Sequence, residues 1–281
     1  MAWRRHERRL ADNLYVYAVV SRRSHGVSIG VNLNPGKACN FGCAYCQVDR
    51  AVAPRVRHVD LETLASELDT VLRAAADGSL YEAPQLGALE PANRTVRDIA
   101  FSGDGEPTAF ARFGDAVAIV AEARRRFGLD RAKIVLITNA AYLSKPSVRD
   151  ALALLDANNG EIWAKLDAGT EEYFRQIDRP NRSLTQVLAS ILDAARLRPV
   201  VIQSMWMRVG GMPPPAAEVE AFCARLADLL TAGAQLKAVQ IYTIARKPAD
   251  DALTPLTDAE VEALAATVRA RVDVPVEAYG G

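Results

Sequence analysis

Between residues 27 and 277 the chain alternates six times between a short apolar run of strand character and a longer run of helical periodicity. The first strand is expected at 27–32 (V-S-I-G-V-N), and Asp60 then caps a helix over 61–76. Leu61, Leu64, Leu68, Val71 and Leu72 form one apolar stripe on that helix. Strands follow at 98–102, 133–138, 161–167, 199–208 and 236–244, with helices at 110–126, from Pro146, and at 184–197, 216–230 and 258–271. A last short strand is expected at 272–277. Strands separated by helices pair in parallel through right-handed crossovers, so the pattern calls for an α/β fold. No repeat or low-complexity tract interrupts it, and we expect a single domain over 1–281, with a core at about 27–271 and a short extension over 1–26.

Composition removes several function classes. Lys and Arg number 34 and Asp and Glu 34, so long-range attraction to a polyanion is weak unless arginines cluster in space. The runs 175–182 (R-Q-I-D-R-P-N-R) and Arg246-Lys247 are the candidate clusters, a solvated surface being the alternative. No apolar run nears the roughly 20 residues that cross a bilayer. The basic start M-A-W-R-R-H-E-R-R-L lacks the apolar stretch of a signal peptide. Four cysteines, three of them close together, suit a reducing cytoplasm better than a disulfide framework.

Cys39, Cys43 and Cys46 lie within eight residues, in N-P-G-K-A-C-N-F-G-C-A-Y-C. Thiolates this close on a glycine-containing loop can converge on one metal centre. A closed zinc site takes four ligands, as does a simple all-cysteine iron–sulfur cluster. A structural site completed by a distant histidine is the alternative, but His6, His25 and His58 form no ligand-like pair. C-x3-C-x2-C with Tyr45 before the third cysteine resembles the signature of the radical S-adenosylmethionine (SAM) superfamily. That resemblance implies that Cys39, Cys43 and Cys46 hold a [4Fe-4S] cluster whose open iron is chelated by SAM. It also implies cleavage of SAM to a 5′-deoxyadenosyl radical, an external low-potential electron donor of flavodoxin or ferredoxin type, and a partial (β/α)6 TIM-like barrel.

A second motif joins the first. R-D-I-A-F-S-G-D-G-E-P-T, residues 97–108, is a short strand followed by a glycine turn. Gly103, Asp104, Gly105, Glu106 and Pro107 occupy the place of the family's G-G-E-P stretch, which binds the amino group of SAM. Asp104 stands where that stretch has its first glycine. The form F-S-x-x-G-E-P is similar to that of the wyosine-tRNA-synthase-like branch.

Barrel chemistry collects at the carboxyl ends of strands. Thr138 and Asn139 end the third strand, as a SAM contact or a simple turn. Lys165 and Asp167 share a face at i and i+2 and are candidates for SAM binding, for a catalytic role or for a structural ion pair. Gln203 is a ribose ligand or a hydrogen-bonded core amide. Tyr242 and Arg246, at the end of the sixth strand, are candidates for substrate contact.

Cys223 lies in an amphipathic helix and reads as a small core residue. One further cysteine builds no auxiliary cluster, which separates the chain from branches that carry one and from the wyosine reaction itself. The substrate stays open between an unidentified C–H bond, a partner enzyme activated through a glycyl radical, and a tRNA base. A non-catalytic iron–sulfur electron carrier is the reading from another class, but a carrier has no use for a methionine-binding turn. Nucleic acid is not favoured as a partner, and no membrane is expected.

Overall fold

The computed structural model describes residues 12–21, 23 and 26–281. His6, His25 and the basic start lie outside the described residues. The chain gathers into two compact units, one of residues up to Cys39 with Arg50–Ile137 and Lys145–Glu161, the other of Asn40–Asp49, Thr138–Ser144 and Ile162–Gly281.

In the first unit, β1 (Val16–Ser21) pairs antiparallel with β2 (Gly26–Val31). This strand lies within the stretch 1–26 expected as a short extension, where no strand was read from the sequence. V-Y-A-V-V-S is rich in β-branched residues, and β2 offers it an edge. Glu67 of helix α1 (Leu61–Asp77) fixes its start by accepting the backbone N–H groups of Leu14, Tyr15 and Val16 at 2.7, 2.9 and 3.0 Å. The expected stripe of α1 is buried throughout. Asp60 caps it by accepting from the Thr63 N–H, and Gly78 ends it at φ 90°, a conformation glycine adopts without penalty. After the short α2 (Pro84–Gly87), β3 (Val96–Phe101) runs parallel to β2. Helix α3 (Phe113–Arg126) leads to β4 (Lys133–Thr138), parallel to β3, and α4 (Pro146–Asp156) follows. Ile99, Phe101, Ile134 and Leu136 are fully buried, each contributing roughly 1.5–3 kcal/mol.

The longest stretch of the second unit starts within β5 (Gly160–Lys165), followed by α5 (Glu171–Ile177) and α6 (Leu184–Ala195). Strand β6 (Val200–Val209) runs parallel to β5. Helix α7 (Ala216–Thr231) then returns the chain to β7 (Leu236–Thr243), parallel to β6. The short β8 (Leu253–Pro255) pairs antiparallel with the end of β6. After α8 (Asp258–Arg269), β9 (Val276–Tyr279) runs parallel to β7. Helix α5 and strand β8 are absent from the sequence reading because both are too short to show a period. Trp206 of β6 sits between Tyr173, stacked at 6.0 Å, and Phe222, edge-on at 5.4 Å. Cys223 is 3% exposed within α7, the expected core position. Among the described residues no helix is long and apolar enough to cross a membrane.

Candidate functional site

In the first unit, β3 delivers the turn Gly103–Pro107 against the segment that leads to Cys39. A Cβ on Gly103 would strike the Asn32 side chain, and one on Gly105 would strike the Ala38 carbonyl and the Asn34 side chain. The two glycines are therefore required by close approach of backbone. Asn32 joins the two segments. Its Oδ1 accepts the N–H groups of Asn34 at 3.0 Å and Asp104 at 3.2 Å, and its Nδ2 donates to the Asp104 carboxylate at 2.9 Å. The residue that departs from the family pattern thus clamps the turn. It also stands on the wall of a cavity of ≈ 150 Å³ that includes Tyr15, Tyr17 and Lys37. Glu106 is 2% exposed and accepts from Thr108 through its N–H at 3.1 Å and its hydroxyl at 2.5 Å, so the carboxylate caps the 3-10 turn begun by Pro107.

In the second unit, the loop carrying Cys43 and Cys46 is stitched to the chain after α5. Gly42 N–H donates to the Arg179 carbonyl at 3.1 Å, and Ala44 N–H to that of Ile177 at 2.7 Å. Phe41 bridges to Pro180 and meets the Phe174 ring edge-on at 5.7 Å. Farther along, the Gln47 amide donates to the Arg246 carbonyl at 2.9 Å. Tyr45 sits between these anchors. Its hydroxyl donates to Asp167 at 2.5 Å and lies 3.3 Å from Asp178.

Asp167 is buried and fully engaged. Besides Tyr45 it accepts from the Met205 N–H at 2.7 Å and from Lys165 at 3.0 Å. Lys165 also donates to the Tyr242 hydroxyl at 2.7 Å, with its ammonium 5.0 Å from the Tyr45 ring centroid and 5.2 Å from that of Tyr242. Burial acts to lower the Lys165 pKa, but Asp167 and then Tyr242 outweigh it and the ammonium is held charged. Burial, followed by Asp167, pushes the Tyr45 phenol up. Burial and then Asp167 also push the Asp178 carboxyl well above its ordinary value. Its Oδ2 is buried with no hydrogen-bond partner, and its Oδ1 lies 3.7 Å from the Cys43 sulfur. Burial and Asp178 push the Cys43 thiol up in turn.

Sequence reasoning missed Asp178, which was visible only as the acidic member of an arginine-rich run. The other candidate residues have the following partners. Lys165 and Asp167 form the ion pair, and Tyr242 joins it. Thr138 and Asn139 build a turn, accepting from Ala140 N–H at 3.0 Å and Ala141 N–H at 3.1 Å, while Asn139 Nδ2 donates to Asn40 at 2.8 Å. Gln203 is a core amide, 1% exposed, donating to Gln240 at 2.8 Å. Basic residues of the two candidate clusters are matched by carboxylates or rings: Arg175 by Glu171 at 2.8 Å, Arg179 by Asp250 at 3.4 Å, Lys247 by Asp251 at 2.7 Å, with Arg182 over Tyr142 at 5.2 Å.

Cys39 belongs to the first unit, Cys43 and Cys46 to the second. All three are half-buried, and none forms a disulfide. Among the described residues, no three His, Cys, Asp or Glu side chains are gathered as they would be around a bound metal ion. The chemistry of the donor set nonetheless fits an iron–sulfur cluster, since soft thiolates are its usual ligands and the loop's backbone is already bonded elsewhere.

No protein-family model matches the chain. A protein named GTPase Obg from Brachyspira hyodysenteriae is 27% identical over 252 residues, 87% of this chain and 32% of that one. A UPF0026 protein of Methanocaldococcus jannaschii is 27% identical over 177 residues, covering 63% of this chain and 47% of its own. One of Helicobacter pylori is 24% identical over 186 residues, covering 65% and 52%. The chain thus spans 32–52% of the length of these relatives. Among solved structures, SuiB of Streptococcus suis bound to S-adenosylmethionine aligns with a TM-score of 0.57 at 13% identity, over 92% of this chain and 49% of that one. TYW1 with a lysine-pyruvate adduct aligns with a TM-score of 0.47 at 16% identity, over 88% and 74%. The likeness to SuiB shows the fold, an α/β sheet of parallel strands of the partial (β/α)6 TIM-like barrel type, and the cysteine and G-E-P motifs resemble those of the radical SAM superfamily.

Proposed function

We propose that this chain is a radical SAM enzyme acting on the C–H bond of a substrate not yet identified. On the motif resemblance, Cys39, Cys43 and Cys46 would hold a [4Fe-4S] cluster and Gly103–Pro107 the amino group of S-adenosylmethionine, with Lys165 and Asp167 as separate candidates for a cofactor contact. When bound, these cofactors supply one-electron cleavage of SAM and a 5′-deoxyadenosyl radical that abstracts hydrogen. The electron comes from an external low-potential donor of flavodoxin or ferredoxin type, in the reducing setting of a cytoplasm.

The observation that carries this reading is the anchoring of Tyr45, two residues from Cys43, onto Asp167 beside the charged Lys165. An electron carrier needs thiolates and a dry pocket. It does not need a buried ammonium, two carboxyls and two tyrosines next to them. The protein's own residues keep the loop still, exclude water and place fixed charge near a zwitterionic ligand. Glu106 and the backbone carbonyls of its turn are suited to an ammonium group, which can only donate. The matched arginines favour a protein or small-molecule substrate over RNA.

The test is anaerobic reconstitution with iron and sulfide, followed by incubation with SAM and a strong reductant. Formation of 5′-deoxyadenosine supports the enzyme reading. A reconstituted cluster that never cleaves SAM would leave the electron carrier.

A further inference from the structure

The cavity of ≈ 150 Å³ beside Asp104 is not accounted for by the cofactor motifs. All its lining residues belong to the first unit. Of the turn Gly103–Pro107 only Asp104 reaches it, and none of the three cysteines does. The start of β1, residues that follow β2 and the segment 52–56 form its walls. Tyr15 uses its hydroxyl on the His58 carbonyl at 3.1 Å and Tyr17 on the Ser102 hydroxyl at 2.9 Å, so both offer the cavity chiefly ring surface. By the space a water needs, the volume suits a ligand of roughly ten non-hydrogen atoms.

The charge around this space is uneven. Two cations, Lys37 and Arg55, stand against one carboxylate, Asp104, so the lining carries one net positive charge. The Asn32 amide holds Asp104 at 2.9 Å, and the Lys37 ammonium donates to the Val52 carbonyl, itself on the wall, at 2.7 Å. Lys37 has φ 61°, a left-handed conformation that glycine adopts freely and a residue with a Cβ does not. A lysine kept there points to a task for its side chain. Arg55 is exposed and makes one long hydrogen bond, to the Asp12 carbonyl at 3.4 Å. Among the described residues it forms no ion pair, whereas Arg175, Arg179 and Lys247 each have a carboxylate.

A guanidinium forks onto a carboxylate through two parallel N–H groups, and one net positive charge balances a single negative one. We propose that this cavity binds a small organic carboxylate, its oxygens facing Arg55 and Lys37 and its carbon skeleton on the Tyr15 and Tyr17 rings. In the enzyme reading this is the place for the acidic end of the substrate. That role rests on the reading above, and the binding itself does not.

The experiment uses the anaerobically purified full chain without SAM, with benzoate as the probe and benzamide as its uncharged counterpart. Calorimetry should give a benzoate Kd on the order of 1 mM, with benzamide weaker by about tenfold or more. Arg55→Gln should weaken benzoate about tenfold, the loss of one charge-assisted hydrogen bond, while iron content and SAM affinity stay as in the wild type. Lys37→Gly removes the ammonium where φ suits glycine, so it should weaken benzoate to a similar degree without lowering the Tm. A Lys37→Gly protein that keeps benzoate and loses Tm would make Lys37 a structural residue and overturn the proposal. Equal affinity for benzamide, tighter binding of inorganic phosphate than of benzoate, or no benzoate bound at about 10 mM would overturn it as well. A chain that never cleaves SAM would overturn the enzyme reading and the substrate role, while the benzoate titrations still decide the carboxylate site.

Discussion

The Gly103–Pro107 turn and the Lys165 group both hold a polar segment still, by opposite means. In the first unit the work is done by backbone and one neutral amide: glycines permit close approach, and Asn32 ties two loops together with three hydrogen bonds. In the second unit it is done by a charge cluster, with the Lys165 ammonium, the Asp167 carboxylate and two phenols packed out of water. A backbone clamp resists displacement but tolerates the loss of a side chain. A buried charge cluster does not, because removing one partner leaves the other desolvated and unpaired. The two regions should therefore respond very differently to single substitutions.

The largest effect should come from the thiols. Anaerobically purified protein should hold about four irons per chain, the content of one [4Fe-4S] cluster. Cys43→Ala should abolish it, and Cys223→Ala, in the core of α7, should not. Stoichiometric zinc in place of iron would defeat the cluster reading.

Next comes the charge cluster. Asp167→Ala strands Lys165 and should destabilise the fold by about 3–5 kcal/mol in urea denaturation, the cost of breaking a buried pair. Lys165→Met with Asp167→Leu should recover much of that loss. A single-mutant cost below about 1 kcal/mol would place the pair with weak surface bridges and end the contrast drawn here.

The turn should behave in the reverse manner, losing ligand rather than fold. Glu106→Ala should retain iron yet weaken SAM binding by roughly ten- to a hundredfold, as expected for a lost charge-assisted hydrogen bond. Unchanged affinity by calorimetry would remove the turn from the site. Gly105→Ala should sharpen the comparison, since its methyl group meets the Ala38 carbonyl. A cost of about 1–3 kcal/mol, typical of overpacking, should accompany its loss of SAM affinity.

The smallest effect concerns pH. The Thr63 hydroxyl and N–H hold the Asp60 carboxyl below its ordinary value. Its folded pKa thus lies below its unfolded one, so its capping contribution is present above the ordinary carboxylate range near 4 and is lost as pH falls through the folded value. The difference in Tm between wild type and Asp60→Ala should accordingly be larger at about pH 6 than at about pH 3. An equal difference at both would mean that the ionised carboxylate adds nothing beyond the neutral cap.

Much of this molecule was legible in its sequence where the signal is local. The stripe of α1, the parallel strands β2 to β7 and the strand-to-turn step at Gly103 each follow from a period or a spacing. The sequence reading overlooked β1, though its composition is strand-like, because its fixing group, Glu67, lies some fifty positions away. The polar strand-end residues were found as a set, but their roles were not. Lys165, Asp167 and Gln203 were each left between ligand contact and internal partner, and the structure supplies an internal partner for all three.

The order of strands and helices, the cysteine spacing and the G-E-P turn are properties of neighbours along the chain, and the sequence by itself determined them. Which polar strand-end residues pair with one another and which aspartate lies beside Cys43 were decided only by tertiary structure. Asp178 shows why. Its burial and its nearness to Asp167 and Cys43 come from a packing of α5 against a loop more than a hundred residues earlier. Charge and desolvation depend on distance in space, and a sequence records only distance along the chain.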